Sequence, residues 1–305
     1  MSNFRSLDPS TMPIATLQSF LQHGIAPRPI CFVSTINRSG EINLSPFSFF
    51  NLFSTNPPIC IFSPSRRVRD NTTKHSLENV LEVPEVVVNI VNHAMVQQTS
   101  LASTEYAKGV NEFEKAGFTM LSSDSVRPPR VQESPMQLEC KVTEVKALGE
   151  GPGAGNLVLA EIIRIHINEE VFNMDGGIDQ EKMDLVARLG ANWYCRVTKD
   201  TLFEVEKPLR TLGIGVDALP LAVRNSTILT GNDLGRLGNM EKLPSKNDLN
   251  KVLELSDIRT IFTSGLSEDM KEVALHRVAQ RFIRLNELEK AQAILWLLEK
   301  NQQQQ

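Results

Sequence analysis

The chain has 305 residues, a formal net charge of −4, 41% hydrophobic residues and 22% charged ones, enough apolar material for a sizeable core. A mildly acidic balance argues against a general binder of nucleic acid or anionic membranes, since either needs a basic surface. No apolar run is long enough to span a bilayer, and residues 1–20 place charges and prolines where a signal peptide needs an uninterrupted apolar segment, so a cytoplasmic location is expected.

Past the N-terminal segment 1–20, residues 29–36 (PICFVSTI) are β-branched and alternating, NRSGE supplies a turn, and INLSPFSFFNLF resumes the extended pattern. PPICIFS (57–63) is a short apolar run behind turn residues, as expected of a buried strand. Residues 72–82 set Leu77, Val80 and Leu81 on one helical face, with Thr73, Lys74 and His75 in the expected first turn. EVVVNIV (85–91) is a further strand, and 94–103 and 110–118 are short helical candidates. MQLECKVTEVKAL (136–148) and NLVLAEIIRIHI (156–167) flank the loop signal GEGPGAG and form a long hairpin. Strands joined by hairpins with few long helices point to an antiparallel sheet closed into a barrel. Beyond residue 200 the texture changes: an extended linker-like stretch is followed by a single amphipathic helix over 277–300, with Phe282, Leu285, Leu288, Ala291, Leu295 and Leu298 on one stripe, and a tail NQQQQ expected to fray.

Cys31, Cys60, Cys140 and Cys195 form no C-x-x-C pair, and the five histidines show no ligand spacing, so no metal site is expected; Cys31, Cys60 and Cys140 read as buried structural thiols. Two stretches carry chemistry. SPSRRVRDNTTKHS (63–76) leaves a buried strand and enters a helix. A helix start offers unpaired N–H groups and partial positive charge, Arg66, Arg67 and Arg69 offer charged donors, and Ser65, Thr72, Thr73 and Ser76 offer hydroxyls. A solvated turn is the commoner fate of a charge run, but cations mixed with hydroxyls at a strand-to-helix junction favour a phosphate cradle. In NLSPFSFFNLF (43–53), Ser45, Ser48 and Asn51 recur amid Phe47, Phe49 and Phe50, and Pro46 marks an edge or irregular strand. Backbone amides beside aromatic faces suit a planar heteroaromatic ligand, although taken alone core packing by the phenylalanines is favoured.

The motifs APRPICFVSTINRSGEINLSPFSFFNLFSTNPPICIFSPS, LENVLEVPEVVVNIV, GVNEFEKAGFT and ESPMQLEC, in that order, resemble the flavin reductase-like, FMN-binding split-barrel family over roughly residues 20–200. The resemblance implies a mainly β fold with helices, an antiparallel split barrel at 21–200 with flanking helices; the residues beyond it, 201–305, read as a largely helical C-terminal extension. It implies a homodimer with FMN near the subunit interface. Pro46, Phe47, Ser48, Phe49 and Asn51 would lie along the ring and ribityl chain, and Ser63, Ser65, Arg66, Asn71, Thr72, Thr73, Lys74 and Ser76 near the phosphate. Where many members show Lys-Asp-Thr at the helix start this chain has Lys74-His75-Ser76, which keeps the cation and a hydroxyl. Glu105, Tyr106, Lys108 and Glu112 lie in a segment that in the family can approach the flavin, or else forms an ordinary surface turn. Arg188, Trp193, Tyr194 and Arg196 are expected to pack rather than to close the pocket, and His166 to stand on a strand face.

The expected function is that of a flavoprotein oxidoreductase taking electrons from a donor such as NAD(P)H through FMN to an acceptor, with no catalytic side chain singled out because redox chemistry belongs to the cofactor. The alternatives are a flavoredoxin-like electron carrier serving a protein redox partner, and a scaffold that has lost its flavin.

Overall fold

The computed structural model describes residues 3–302, with side chains through residue 298; residues 1–2 of the N-terminal segment and 303–305 of the expected frayed tail lie outside the described residues. The chain divides into two compact units, Met1–Phe203 and Glu204–Gln305.

In the first unit, helix α1 (Ile14–Gly24) precedes strands β1 (Arg28–Pro29), β2 (Cys31–Ile36), β3 (Ile42–Phe47), β4 (Phe50–Thr55) and β5 (Pro58–Phe62). Helix α2 (His75–Glu82) leads into β6 (Glu85–Ile90), and α3 (Val96–Ala102) and α4 (Glu112–Ala116) follow. After β7 (Met120–Leu121) and β8 (Arg130–Val131) come the long β9 (Met136–Ala147) and β10 (Asn156–Ile167), then α5 (Gln180–Met183), β11 (Val186–Arg188) and β12 (Tyr194–Arg196).

Seven strands form one sheet in the order β3-β2-β6-β9-β10-β5-β4, with every neighbouring pair antiparallel. The two outer strands, β3 and β4, are consecutive in the chain and joined only by Ser48 and Phe49. Two residues span at most about 10 Å between the flanking Cα atoms, so the sheet has curled until its edges meet. The result is a barrel with one seam that carries no ladder. Right-handed twist supplies part of the curvature, and irregular register at Leu159/Ala160 and Ile162/Arg164 in β10 and at Leu52/Ser54 in β4 adds bend.

Burial follows this closure. Cys31 and Val33 of β2 face the barrel interior with Phe47, Phe62, Val86, Val88, Cys140 and Val158. Phe32, between them, points outward into a second core with Met95, Phe113 and Phe118 beneath α3 and α4. The strand is therefore buried on both faces, which accounts for its continuous apolar run where a half-exposed strand would alternate. Phe47 and Phe62 meet across the interior with centroids 5.2 Å apart. Cys31, Cys60 and Cys140 are buried free thiols. Arg28 fastens the outside: its guanidinium donates to the Gln22 and Ile25 carbonyls at the end of α1 and to Leu189 O.

The structure corrects the sequence reading at the start of α2. Lys74 is the N-cap and His75 the first helical residue, so Thr73 precedes the helix instead of opening it. The Thr73 hydroxyl is engaged with Glu78 Oε1 at 2.8 Å, and the turn before it is held by Arg67.

The second unit is helical, with α6 (Leu221–Arg224), α7 (Gly231–Gly238), α8 (Lys246–Leu253), α9 (Ser256–Thr263), α10 (Glu268–Arg284) and α11 (Leu288–Gln302). Its own core contains Leu237, Ile258, Leu275, Ile283, Ile294 and Leu295. The single helix expected over 277–300 is two. Asn286 takes a left-handed φ of 61°, Asn286 N–H bonds Ile283 O, and Glu287 N–H reaches back to Phe282 O. That pair of bonds is the Schellman stop signal, with asparagine in the place glycine usually holds. Leu285, counted in the expected stripe, is exposed at this turn.

Candidate functional site

The site is built where β3, the start of α2 and the segment before α4 converge. Asn43, Ser45 and Pro46 of β3, Arg67, Lys74 and His75 from the 63–76 stretch, and Ala102 to Tyr106 with Glu112 enclose a cavity of about 70 Å³. Pockets for drug-sized ligands run to about 300–1,000 Å³; this one is of the size of a single polar group.

Asn43 and Ser45 share a face of β3 because strand side chains alternate. Asn43 Nδ2 donates to Ser76 Oγ at 3.1 Å, and both residues are buried. Ser76 thus joins strand to helix from behind the cavity. The N–H groups of His75 and Ser76 open α2, where no earlier helical carbonyl exists to take them.

The three arginines left undecided by the sequence separate clearly. Arg66 is spent on its own loop: Nε donates to Asn71 Oδ1 at 2.7 Å and Nη2 to Asn71 O at 2.6 Å. Asn71, at a left-handed φ of 57°, also donates to Glu150 O. Arg69 is exposed and pairs with Asp70 and Glu105. Arg67 is the one that lines the cavity, held from behind by Thr72 Oγ1 at 2.9 Å and Thr73 O at 2.5 Å. Asp70 braces the turn; the Thr72 hydroxyl and N–H, with Arg69, hold its carboxyl down to about 2.

Lys74 is the central cation. Its Nζ lies 5.1 Å from the centroid of the Phe47 ring, and among the described residues no carboxylate stands within ion-pair distance of it. Burial pushes its pKa down and the neighbouring Arg67 adds to that, while Glu105 opposes it. A cation so placed costs free energy unless an anion joins it. On the opposite wall Glu112 is buried, its Oε2 accepting Leu44 N–H at 2.8 Å, and burial raises its pKa.

Of the other residues the sequence singled out, Phe47 packs in the barrel interior, and Ser48 and Phe49 form the link across the seam, with Phe49 exposed and the Arg28 guanidinium 6.0 Å from its ring. Asn51 is exposed on β4, its Oδ1 accepting Leu52 N–H. Ser63 N–H bonds Phe49 O at 2.9 Å, tying the end of β5 to the seam, and a Cβ at position 155 would fall 2.7 Å from Ser63 Oγ, so a side chain there would make that hydroxyl shift. Ser65 lies half-buried at the head of the loop. The structure therefore brings Pro46, Lys74 and Arg67 to the cavity, with Ser45, Glu105, Tyr106 and Glu112; it leaves Ser48, Phe49 and Asn51 along the seam, and Ser63, Ser65, Arg66, Asn71, Thr72, Thr73 and Ser76 outside the lining. Asn43 was missed by the sequence reading; its signal was the alternation with Ser45 on a strand whose next residue, Leu44, is apolar.

A separate trio, Asp124, Glu139 and His166, has the residue types of a metal centre. Glu139 is already filled: Asp124 N–H, Ser125 N–H and His166 Nε2 lie at 2.8, 2.6 and 2.7 Å. Arg164 stands 3.5 Å from Asp124 and Arg130 4.0 Å from Glu139. With two guanidiniums adjacent, the group acts as a staple fixing the loop before β8 onto β9 and β10.

The fold is a seven-stranded antiparallel barrel split at one seam, with a cationic cavity where a helix begins beside it. Residues 23–182 match the flavin reductase like domain, and the chain belongs to that family. An uncharacterised protein of Aquifex aeolicus strain VF5 is 34% identical over 181 residues, 59% of this chain and 90% of its own length. Nitrilotriacetate monooxygenase component B from Bacillus cereus superposes with a TM-score of 0.62 at 26% identity, covering 67% of this chain and all (100%) of its own. Flavoredoxin of Desulfovibrio vulgaris (Miyazaki F) shares the fold, with a TM-score of 0.51 at 20% identity over 68% of this chain and 98% of its own. Among the described residues no helix is long and apolar enough to cross a membrane.

Proposed function

We propose that the chain is an FMN-dependent oxidoreductase that accepts electrons from a donor such as NAD(P)H and delivers them to a second acceptor. The observation that carries this reading is Lys74, a largely buried cation with Arg67 beside it and the open N–H groups of His75 and Ser76 at the start of α2. That donor set fits a phosphate: two cations, backbone N–H groups and a helix start, in a space too small for a ring system. Arg67 and Lys74 would hold the phosphate, and Ser48, Phe49 and Asn51, lying along the seam, would meet the ring. When bound, the flavin supplies the two-electron chemistry. The protein's own residues bind, orient and shield it.

The purified protein is expected to be yellow and to release FMN on denaturation. Lys74→Ala and Arg67→Ala should each weaken FMN at least tenfold, the size of one charge-assisted contact of roughly 1.5–3 kcal/mol, and leave riboflavin nearly unchanged. Equal losses for the two ligands would place the phosphate elsewhere. Steady-state turnover with NAD(P)H assigns the enzyme; reduction only by a protein donor assigns a carrier instead.

A further inference from the structure

The cavity already contains an anion of the protein's own. Glu105 bridges two guanidiniums, with Oε1 3.1 Å from Arg67 Nε and Oε2 2.7 Å from Arg69 Nη2. Both oxygens are engaged as those of a bound oxyanion would be. The two sides of this contact are built differently. Arg67 is also fixed from behind by Thr72 and Thr73. Glu105 is half exposed, and its neighbours make only short turn bonds: Ser103 N–H to Ser100 O, Thr104 N–H to Leu101 O and Tyr106 N–H to Thr104 O. The cation is held by the fold, and the carboxylate is held chiefly by the cations.

We propose that Glu105 is a resident counter-anion, displaced from Arg67 when the phosphate of a flavin enters, and that it competes for that position whenever the flavin dissociates. The proposal rests on the reading of the cavity as a phosphate site. Ion pairs this exposed are weak, so displacement is easy for a phosphate dianion that also gains Lys74. Riboflavin has no phosphate and leaves the Glu105–Arg67 pair intact. Glu105 therefore lowers affinity for FMN selectively and speeds its release.

The test measures dissociation constants and release rates of FMN and riboflavin for the full chain and for Glu105→Gln and Glu105→Ala. Both variants should bind FMN about threefold to tenfold more tightly, the worth of one or two exposed ion pairs, and release it correspondingly more slowly. Riboflavin should be unaffected, and the gain should shrink at high salt. Unchanged or weaker FMN binding in both variants overturns the proposal and makes Glu105 a support for Arg67. Wild-type protein that binds FMN no better than riboflavin, with Lys74→Ala altering neither, overturns the phosphate site itself and the proposal with it; FMN preference in the wild type without a gain in the variants overturns the role of Glu105 alone.

Discussion

Glu112 shows how one buried carboxylate serves both structure and site. It lines the cavity and takes the Leu44 N–H, which would otherwise be an unpaired donor inside the protein. Burial raises its pKa, so the folded state resists its ionisation. Its contribution is fully present below the unfolded carboxylate value of 4.5 and is lost as pH rises through the raised folded value. Glu112→Gln keeps an acceptor for Leu44 and removes the titration. Its stability relative to wild type should therefore increase as pH climbs above about 4.5 and then level off. Glu112→Ala orphans the Leu44 N–H and should cost about 1–3 kcal/mol in chemical denaturation below pH 4.5, a cost that shrinks as pH rises and the wild type loses its own contribution. Residue identities of this kind were legible in part. The cations and hydroxyls of 63–76 raised the expectation of an anion site, but which arginine turns inward depends on Asn71 and Thr72 capturing Arg66 and Arg67, and an irregular loop has no period from which to read that.

Elements were the most legible scale. β-branched runs bounded by turn residues placed β2, β5, β6, β9 and β10 nearly to the residue: β2 and β6, buried on both faces, leave an unbroken apolar record, and β9 and β10 are delimited by the glycine-rich loop between them. The helical tail failed for a specific reason. Leu285, Leu288 and their neighbours keep helical spacing through a break that is set by one left-handed residue, and hydrophobic period is blind to that. Asn286→Gly relieves the positive φ but loses the bond that Asn286 Oδ1 accepts from Arg236 Nη2 at 2.6 Å, so the two effects oppose and stability should stay within about 1 kcal/mol of wild type. Asn286→Val should cost roughly 1–2 kcal/mol, read as a lower midpoint for helix melting by circular dichroism.

At the scale of the whole molecule, closure of the barrel was foreseen as a class, and the resemblance offered the segment of Glu105 and Glu112 as one that can approach the site; residue spacing alone could not bring them to the cavity of Lys74, because they lie thirty or more positions away in the chain. The first unit also leaves apolar surface open. No residue of α1 is buried, with Phe20 and Leu21 about half exposed, and Leu52 and Phe53 of β4 are 57% and 65% exposed. An edge strand and a helix this apolar call for a cover, and a second copy of the chain is the cover we propose. Sedimentation should give twice the monomer mass, and Leu52→Lys with Phe53→Lys should yield monomers with weakened flavin affinity. A monomeric wild-type protein would leave this face without the assigned partner.

The link of Ser48 and Phe49 has a mechanical meaning. It spans the outermost ribbons of the sheet yet takes part in no ladder between them, so a cut at this dipeptide would leave all six strand pairings whole while freeing the barrel to open. A flavin lying along Ser48 to Asn51 would clasp those same two ribbons from outside. Once the chain is nicked there, cofactor occupancy should decide whether the cylinder stays shut, separating for measurement two quantities, folding and closure, that the intact chain keeps fused.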